Sequence, residues 1–307
     1  MKLIIKDVDI TFSNQSMRIC NYTDYSGGHA DALRIVFNDT YDLWRKWELV
    51  KNDKIRVINN SLDTGDMYIS EISIEDGAYK IKALSTPSRA LNQSSSIREN
   101  IKLSGICSEI SNELGFKLDT YETNDFLYSY VERINQNPIS YLEALLIKEG
   151  YLQKIFNNRL IICSEKGMEQ KPPKITVTKE DFVNEPSFNT TDAKLLASVE
   201  NVYQSSKSVV RSKAVSGLSG KSLKLNLPVD SVGEGERYCK NIMRYHNKYE
   251  FTGSGMISES EITAGVTINL EGDYAGWAGN NFVYEVKHDM IFNRQAIKFR
   301  KPIAGDY

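Results

Sequence analysis

The spacing of apolar positions changes twice along the chain. From residue 30 to residue 85 it is mostly two. "DALRIVFND" alternates Leu33, Ile35 and Phe37 with polar neighbours, "DKIRVIN" follows a turn at Asn52-Asp53, and "YISEISIEDGAYKIKAL" reads as a hairpin folded at Asp76-Gly77. This predicts a small antiparallel β domain over residues 1–85. The stretch "STPSRALNQSSSIREN", rich in Ser and Asn with almost no apolar period, reads as a connector. Spacings of three and four then take over. Ile101, Leu103, Ile106, Ile110 and Leu114 predict one helix stopped by Gly115. A second is better marked: Asn137 can cap it and Pro138 fits its first position. Ile139, Leu142, Leu145 and Leu146 form its stripe, and Gly150 suits its left-handed end. "YLQKIFNNRLIICSE" follows as a hairpin around Asn157-Asn158. Together these predict an α+β domain over residues 86–167.

The paired prolines and dense charge of "EKGMEQKPPKITVTKEDF" read as a second separator, with a boundary near residue 168. The remainder, 168–307, returns to strands after a helix that starts near Gly233 and carries Tyr238, Ile242 and Tyr245 on one face. The fold class is therefore α+β and mainly β. The two β regions also share an order of parts. "NDKIRVINN", a Gly-containing loop, "YISEISI", a turn and "AYKIKAL" correspond to "TAGVTINLEG", a Gly- and Trp-containing loop, "FVYEVKHDM", a turn and "QAIKFRK". Glu71 and Glu285 hold comparable places, and their separations from Ile81 and Ile297 differ by two residues. A duplicated unit lets one chain fill two places in a ring, so three chains can approximate six-fold symmetry.

Charge changes this picture little. Lys plus Arg number 38 against 40 acids, a net charge of −2, which gives no electrostatic reason to expect nucleic acid or an anionic membrane. The locally basic run with Lys207, Arg211, Lys213, Lys221 and Lys224 reads as a solvated loop or strand face. The charged start of the chain is too short for a signal peptide's apolar segment, and no run is long enough to span a membrane. A soluble, cytosolically made protein is expected. Cys20, Cys107, Cys163 and Cys239 are far apart and suggest buried thiols, not a zinc ribbon or disulfide framework.

Candidate chemistry is sparse. His29, His246 and His288 are not spaced as metal ligands. Period-two alternation places His288 on an apolar face with Phe282, Tyr284 and Val286, where a packed histidine is the plain reading and a general base the sharper one. No nucleophile-elbow, zinc-protease or phosphate-loop motif occurs, so no catalytic residue, cofactor or metal is expected. Trp44, Trp47 and Trp277 suit core or interface packing more than sugar platforms.

The series "DALRIVFNDTYDLWRKWELVKNDKIRV", "DMYISEISIEDGAYKIKALSTP", "YSYVERINQNPISYLEALLIKEGYLQKIFNNRLII" and "EITAGVTINLEG…FVYEVKHDM" resembles the late control protein D family. These are the baseplate hub proteins of contractile phage tails and R-type tailocins, related to the hub domains of type VI secretion spike proteins. The resemblance runs through nearly the whole chain, most specifically at Arg133, Gln136 and the capped helix ending at Gly150. It implies two tail-tube-like antiparallel β-barrels flanking an α+β unit. It further implies a homotrimeric pseudo-hexameric ring that joins a six-fold tail tube, or a tube-initiator protein, above to a three-fold spike below.

Other baseplate proteins would surround the ring, no membrane is implied, and DNA would cross the lumen only in a phage. Assembly in the bacterial cytoplasm and release within a particle are implied too. Because the sequence stops at Tyr307, the spike is expected to be a separate protein. One departure is Asn293-Arg294-Gln295, where the family pattern calls for a more apolar entry to the last strand, which leaves the register of the final hairpin open. The competing classes are a tail-associated peptidoglycan hydrolase and a β-rich glycan-binding module using Trp277.

Overall fold

The computed structural model describes residues 1–11, 16–204, 208–258 and 260–303. Lys207 of the basic run and Tyr307 lie outside these. Four α-helices are present among the described residues: α1 (Leu103–Leu114), α2 (Pro138–Glu149), α3 (Glu165–Glu169) and α4 (Val232–Asn247). Local chemistry explains their ends. The Asn137 side chain accepts from the Ser140 amide at 2.8 Å, Pro138 opens α2, and Gly115 and Gly150 end α1 and α2 at φ of 64° and 76°. The turns at Asn52, at Asp76-Gly77 and at Asn157-Asn158 all use the positive φ the sequence leads one to expect.

Eleven strands follow one hydrogen-bonded path. In spatial order they are Ser187–Thr190, Phe251–Ser258, Arg294–Arg300, Gly279–Asp289, Met17–Tyr25, Ala32–Asn38, Ala78–Leu84, Met67–Glu75, Lys54–Asn59, Lys2–Ile5 and Val8–Asp9. Three more strands attach to this path, including Thr267–Leu270 beside Gly279–Asp289. The repeated strands of both β regions therefore belong to one sheet, and no pairing among the described residues closes either region on itself.

The duplicated pattern is visible in this order. Met17–Tyr25, Ala32–Asn38, Ala78–Leu84, Met67–Glu75 and Lys54–Asn59 are neighbours in that sequence, all antiparallel. Ser187–Thr190, Phe251–Ser258, Arg294–Arg300, Gly279–Asp289 and Thr267–Leu270 repeat it. A β-bulge precedes Glu71 in one copy and Glu285 in the other. Glu71 lies opposite Lys82 and Glu285 opposite Lys298, with ion pairs of 2.8 and 2.9 Å. The two-residue difference in spacing is a loop difference: Asp76-Gly77 joins the first hairpin, whereas Met290 to Asn293 joins the second.

Three readings differ from the sequence expectation, and one strand has no counterpart in it. The Ser-rich connector holds a strand, Ser94–Lys102, paired with Leu127–Gln136 in a separate two-stranded ribbon, and Ile101 belongs to it and not to α1. Most of this strand faces solvent, so it carries no apolar alternation to read. The charged separator forms α3, whose two glutamates are buried. "EFTGSGMIS" is a strand, and its glycines make room for aromatic rings: a Cβ on Gly253 would lie 2.3 Å from the Phe299 ring. Finally, Tyr245 projects from α4 into solvent, and the packed stripe runs through Tyr238, Cys239, Ile242 and Met243.

Among the described residues the interior comprises four apolar clusters. One fills the first β region and includes Met290 from the other end of the chain; one lies between α1, α2 and the Tyr151–Phe156 and Arg159–Ser164 hairpin; one fills the last β region. The fourth packs α4 on a small sheet of Val209–Val215, Leu196–Gln204 and Lys221–Leu225. α2 meets α4 across the second and fourth. Arg237 pairs with the fully buried Glu149 carboxylate at 2.7 Å, and Asn241 Nδ2 donates to the Lys148 carbonyl at 2.8 Å.

Candidate functional site

The feature that unites the chain is the seam between Met17–Tyr25 and Gly279–Asp289. Tyr25 lies opposite Glu285, Thr23 opposite Lys287 and Asn21 opposite Asp289. The Ser26 amide donates to the Tyr284 carbonyl at 3.0 Å, which sets the phase of the ladder. The bulge before Glu285 changes which residues face inward. Val283, Val286 and His288 share the core face, while Phe282 lies opposite Arg300 and meets its guanidinium at 4.8 Å. The expected grouping of Phe282, Tyr284, Val286 and His288 is therefore broken by one extra residue.

Under the seam, Lys154 of the middle hairpin reaches into the first β region. Its ammonium contacts the Asp24 carboxylate, donates to the Tyr25 carbonyl at 2.7 Å, and lies 3.4 Å from Asp31 Oδ2. Asp24 also accepts from the Ala264 amide at 2.7 Å, so one carboxylate ties three parts of the chain. Asp31 accepts from the Tyr22 hydroxyl at 2.9 Å and the Tyr25 amide at 2.9 Å. Burial pushes its carboxyl up to about 6, against the pull of Lys154. For Lys154, burial opposes the charge, but Asp24 and Asp31 outweigh it and hold the ammonium above the usual lysine range.

His288 lies beside this group, stacked on Tyr22 with centroids 5.8 Å apart. Gln295 Nε2 donates to the His288 Nδ1 at 3.0 Å, which places the imidazole proton on Nε2. The Gln295 carbonyl accepts from Ser260 Oγ at 2.7 Å, so the polar entry to the last strand is a buried brace, with Gln295 opposite His288. Burial pushes His288 down to about 4. It is neutral, and among the described residues Nε2 has no hydrogen-bond partner.

A second charged cluster fastens α3, α4 and the last strand. Arg300 contacts Glu165 at 2.8 Å and also Glu169; Arg244 pairs with Glu169 and Lys248 with Glu165 at 3.0 Å. All five side chains are buried. Burial raises the Glu165 carboxyl, but Lys248 and Arg300 more than reverse it, so it stays ionised. None of these residues stands out in the sequence. Lys154 is the exception: a lone charge in the apolar run "YLQKIF" is a signal that a partner waits for it.

The other residues singled out in the sequence are dispersed. His29 is exposed against Tyr25, and His246 is half-buried on α4. Trp44 is buried and stacked on Phe37, Trp47 leans on Trp44, and Trp277 packs on Phe188 while its Nε1 donates to the Thr252 carbonyl at 3.0 Å. The four cysteines are free and buried. Arg211, Lys213, Lys221 and Lys224 lie on the solvated face of the small sheet. Among the described residues no group of His, Cys, Asp and Glu could hold a metal ion, and no helix is long and apolar enough to cross a membrane.

Two stretches along the edges of the large sheet lie where the repeat leads one to expect a partner strand. In the first copy, Lys54–Asn59 pairs with only Met67 and Tyr68 of its neighbour, so the edge over Glu71 to Glu75 pairs with no strand among the described residues. The equivalent edge in the second copy, Glu285 to Asp289, is the one the seam covers. At the far end, Ser187–Thr190 is paired on one side only. The Thr191 amide donates to the Glu250 carbonyl, so alternation points the amides of Phe188 and Thr190 outward.

No protein-family model and no curated protein matches the chain. Solved structures do. The 43 kDa tail protein of prophage MuSo2 from Shewanella oneidensis is similar over 98% of both chains, with 9% identity and a TM-score of 0.77. A tail protein from Neisseria meningitidis MC58 covers 97% of this chain and 95% of its own, with 7% identity and a TM-score of 0.77. The fold is that of phage tail proteins. The same tail-protein fold extends to the E. coli c3393 protein, a type VI secretion component described as similar to the T4 tail proteins gp27 and gp5. It covers 100% of this chain and 79% of its own, with 11% identity and a TM-score of 0.62.

Proposed function

We propose that the chain is a structural, non-enzymatic baseplate hub. Three copies form a pseudo-hexameric ring that joins a six-fold tail tube to a three-fold spike, inside a phage tail or a tailocin assembled in the bacterial cytoplasm and then released. Its units are the two β regions, 1–85 and 168–307, flanking the α+β unit 86–167. The observation that carries this reading is the mismatch between covered and open edges. Within the chain, the fourth strand of the second copy pairs with the first strand of the first. The same joint between chains would pair the open edge at Glu71 to Glu75 with the neighbour's Ser187–Thr190.

The repeat sets the register. Ile81 and Ile297 are equivalent, and they lie opposite Ile35 and Gly255. Carrying the seam's pairs across puts Ser73 opposite Asn189 of the neighbour and Ile72 opposite Thr190. Both outward amides of Ser187–Thr190 then find acceptors, and each chain fills two of six places. The tail-protein fold supports the reading.

The test is a disulfide. Ser73 and Asn189 would form a non-hydrogen-bonded pair, the closer of the two antiparallel geometries, so S73C/N189C should oxidise into a covalent three-chain ring. Either single variant should stay monomeric on a denaturing gel, because the native thiols are buried. Native mass, alone and with a co-expressed spike protein, is measured beside it. A strict monomer in every condition with no cross-link sinks the ring, and clearing of cell walls in a zymogram sinks the non-enzymatic reading.

A further inference from the structure

A cleft of about 410 Å³ lies between the middle unit and the loop that leads into α4, away from the large sheet. One wall is the strand Leu127–Gln136. It pairs only with Ser94–Lys102, so its second edge is open among the described residues. The Leu103 amide donates to the Phe126 carbonyl at 2.8 Å, which fixes the phase: Tyr128, Tyr130 and Glu132 exchange bonds with the partner strand, and the main-chain groups of Ser129 and Val131 point outward.

The walls combine apolar side chains such as Val131, Leu145 and Val229 with tyrosines and acids. Tyr130, Tyr141, Tyr203 and Tyr238 line the cleft with the carboxylates of Glu132, Asp230 and Glu234. Lys148 is the one cation among the lining residues; it and Arg237 lie over the Tyr238 ring, each at 5.3 Å, and Arg133 lies over the Tyr141 ring at 6.0 Å, so Tyr130, Tyr203 and Glu132 are the groups offered to a partner. Leu127 and Ile134, on the same strand, are 61% and 59% exposed. Acids and the electron-rich faces of tyrosines both favour cations, and an open strand edge favours an extended chain.

We infer that this cleft docks an extended basic segment of a partner protein, which adds as a strand beside Leu127–Gln136 and sets Lys or Arg side chains against Tyr130, Tyr203 and Glu132. The cleft lies outside the proposed ring joint, so the inference does not depend on the oligomeric state.

Fluorescence anisotropy with a short labelled peptide alternating lysine with valine and threonine tests it on the full chain. Saturable binding is expected, weakened roughly tenfold by E132K and by added salt. It should be lost for the same peptide N-methylated at alternate residues, and for one with glutamate in place of lysine. S129P removes an outward amide without touching the existing ladder and should weaken binding in the same way, with melting and circular dichroism confirming the fold. No saturable binding, or binding indifferent to both methylation and charge, overturns the proposal. So does a change of native mass in S129P without peptide binding, because a second copy would then be the occupant.

Discussion

His288 is buried with its imidazole pushed down to about 4, below the ordinary value near 6.5. The unfolded chain therefore takes up a proton that the folded chain refuses, and stability is lost as pH falls through the window from 6.5 to 4. The raised carboxyl of Asp31 acts in the opposite sense and lowers stability as pH rises towards 6. Comparing the wild type with H288L isolates the first effect, since Asp31 is present in both. At pH 8 the variant should lie within about 1 kcal/mol of wild type, because it removes an Nε2 donor without a partner. At pH 5 it should be the more stable chain in urea melts; equal pH dependence of the two would refute the assignment. The second charged cluster makes an asymmetric prediction. Three cations share two acids, so E165Q strands Lys248 and should cost roughly 3–5 kcal/mol, whereas R300M leaves balanced pairs and should cost less. Such charges are illegible in sequence, because Glu165 and Arg300 lie 135 residues apart, with Arg244 between them.

At the scale of elements, what could be read depended on whether the element signals locally. α2 declares both ends in its own residues. N137A should cost about 1 kcal/mol by thermal melt, as loss of one cap does. G150A should cost more, because its Cβ would need φ of 76° and would lie 2.7 Å from Asn241 Oδ1, which also loosens α2 from α4. The strand Ser94–Lys102 declares nothing, because its residues alternate against solvent on both faces for most of its length. The bulges before Glu71 and Glu285 are similarly silent: an inserted residue leaves composition and apolar content unchanged while reversing which side chains face the core.

For the whole molecule, the duplication is legible because both copies keep the same order of strands and the same Glu–Lys pair. Their joining into one sheet is not, since pairing of residue 25 with residue 285 leaves no local trace. That joint also sets a schedule. At roughly 5–20 residues per second of synthesis, Met17–Tyr25 waits about 15–50 s before its partner strand exists. Throughout that interval the first β region presents an unpaired edge, and neighbouring nascent chains carry the same edge. A chain truncated before Gly279 should make that state permanent and run on gel filtration as open-ended aggregates, whereas the full chain stays at or below the size of a three-chain ring. The step most exposed to misassembly is thus the last one synthesised.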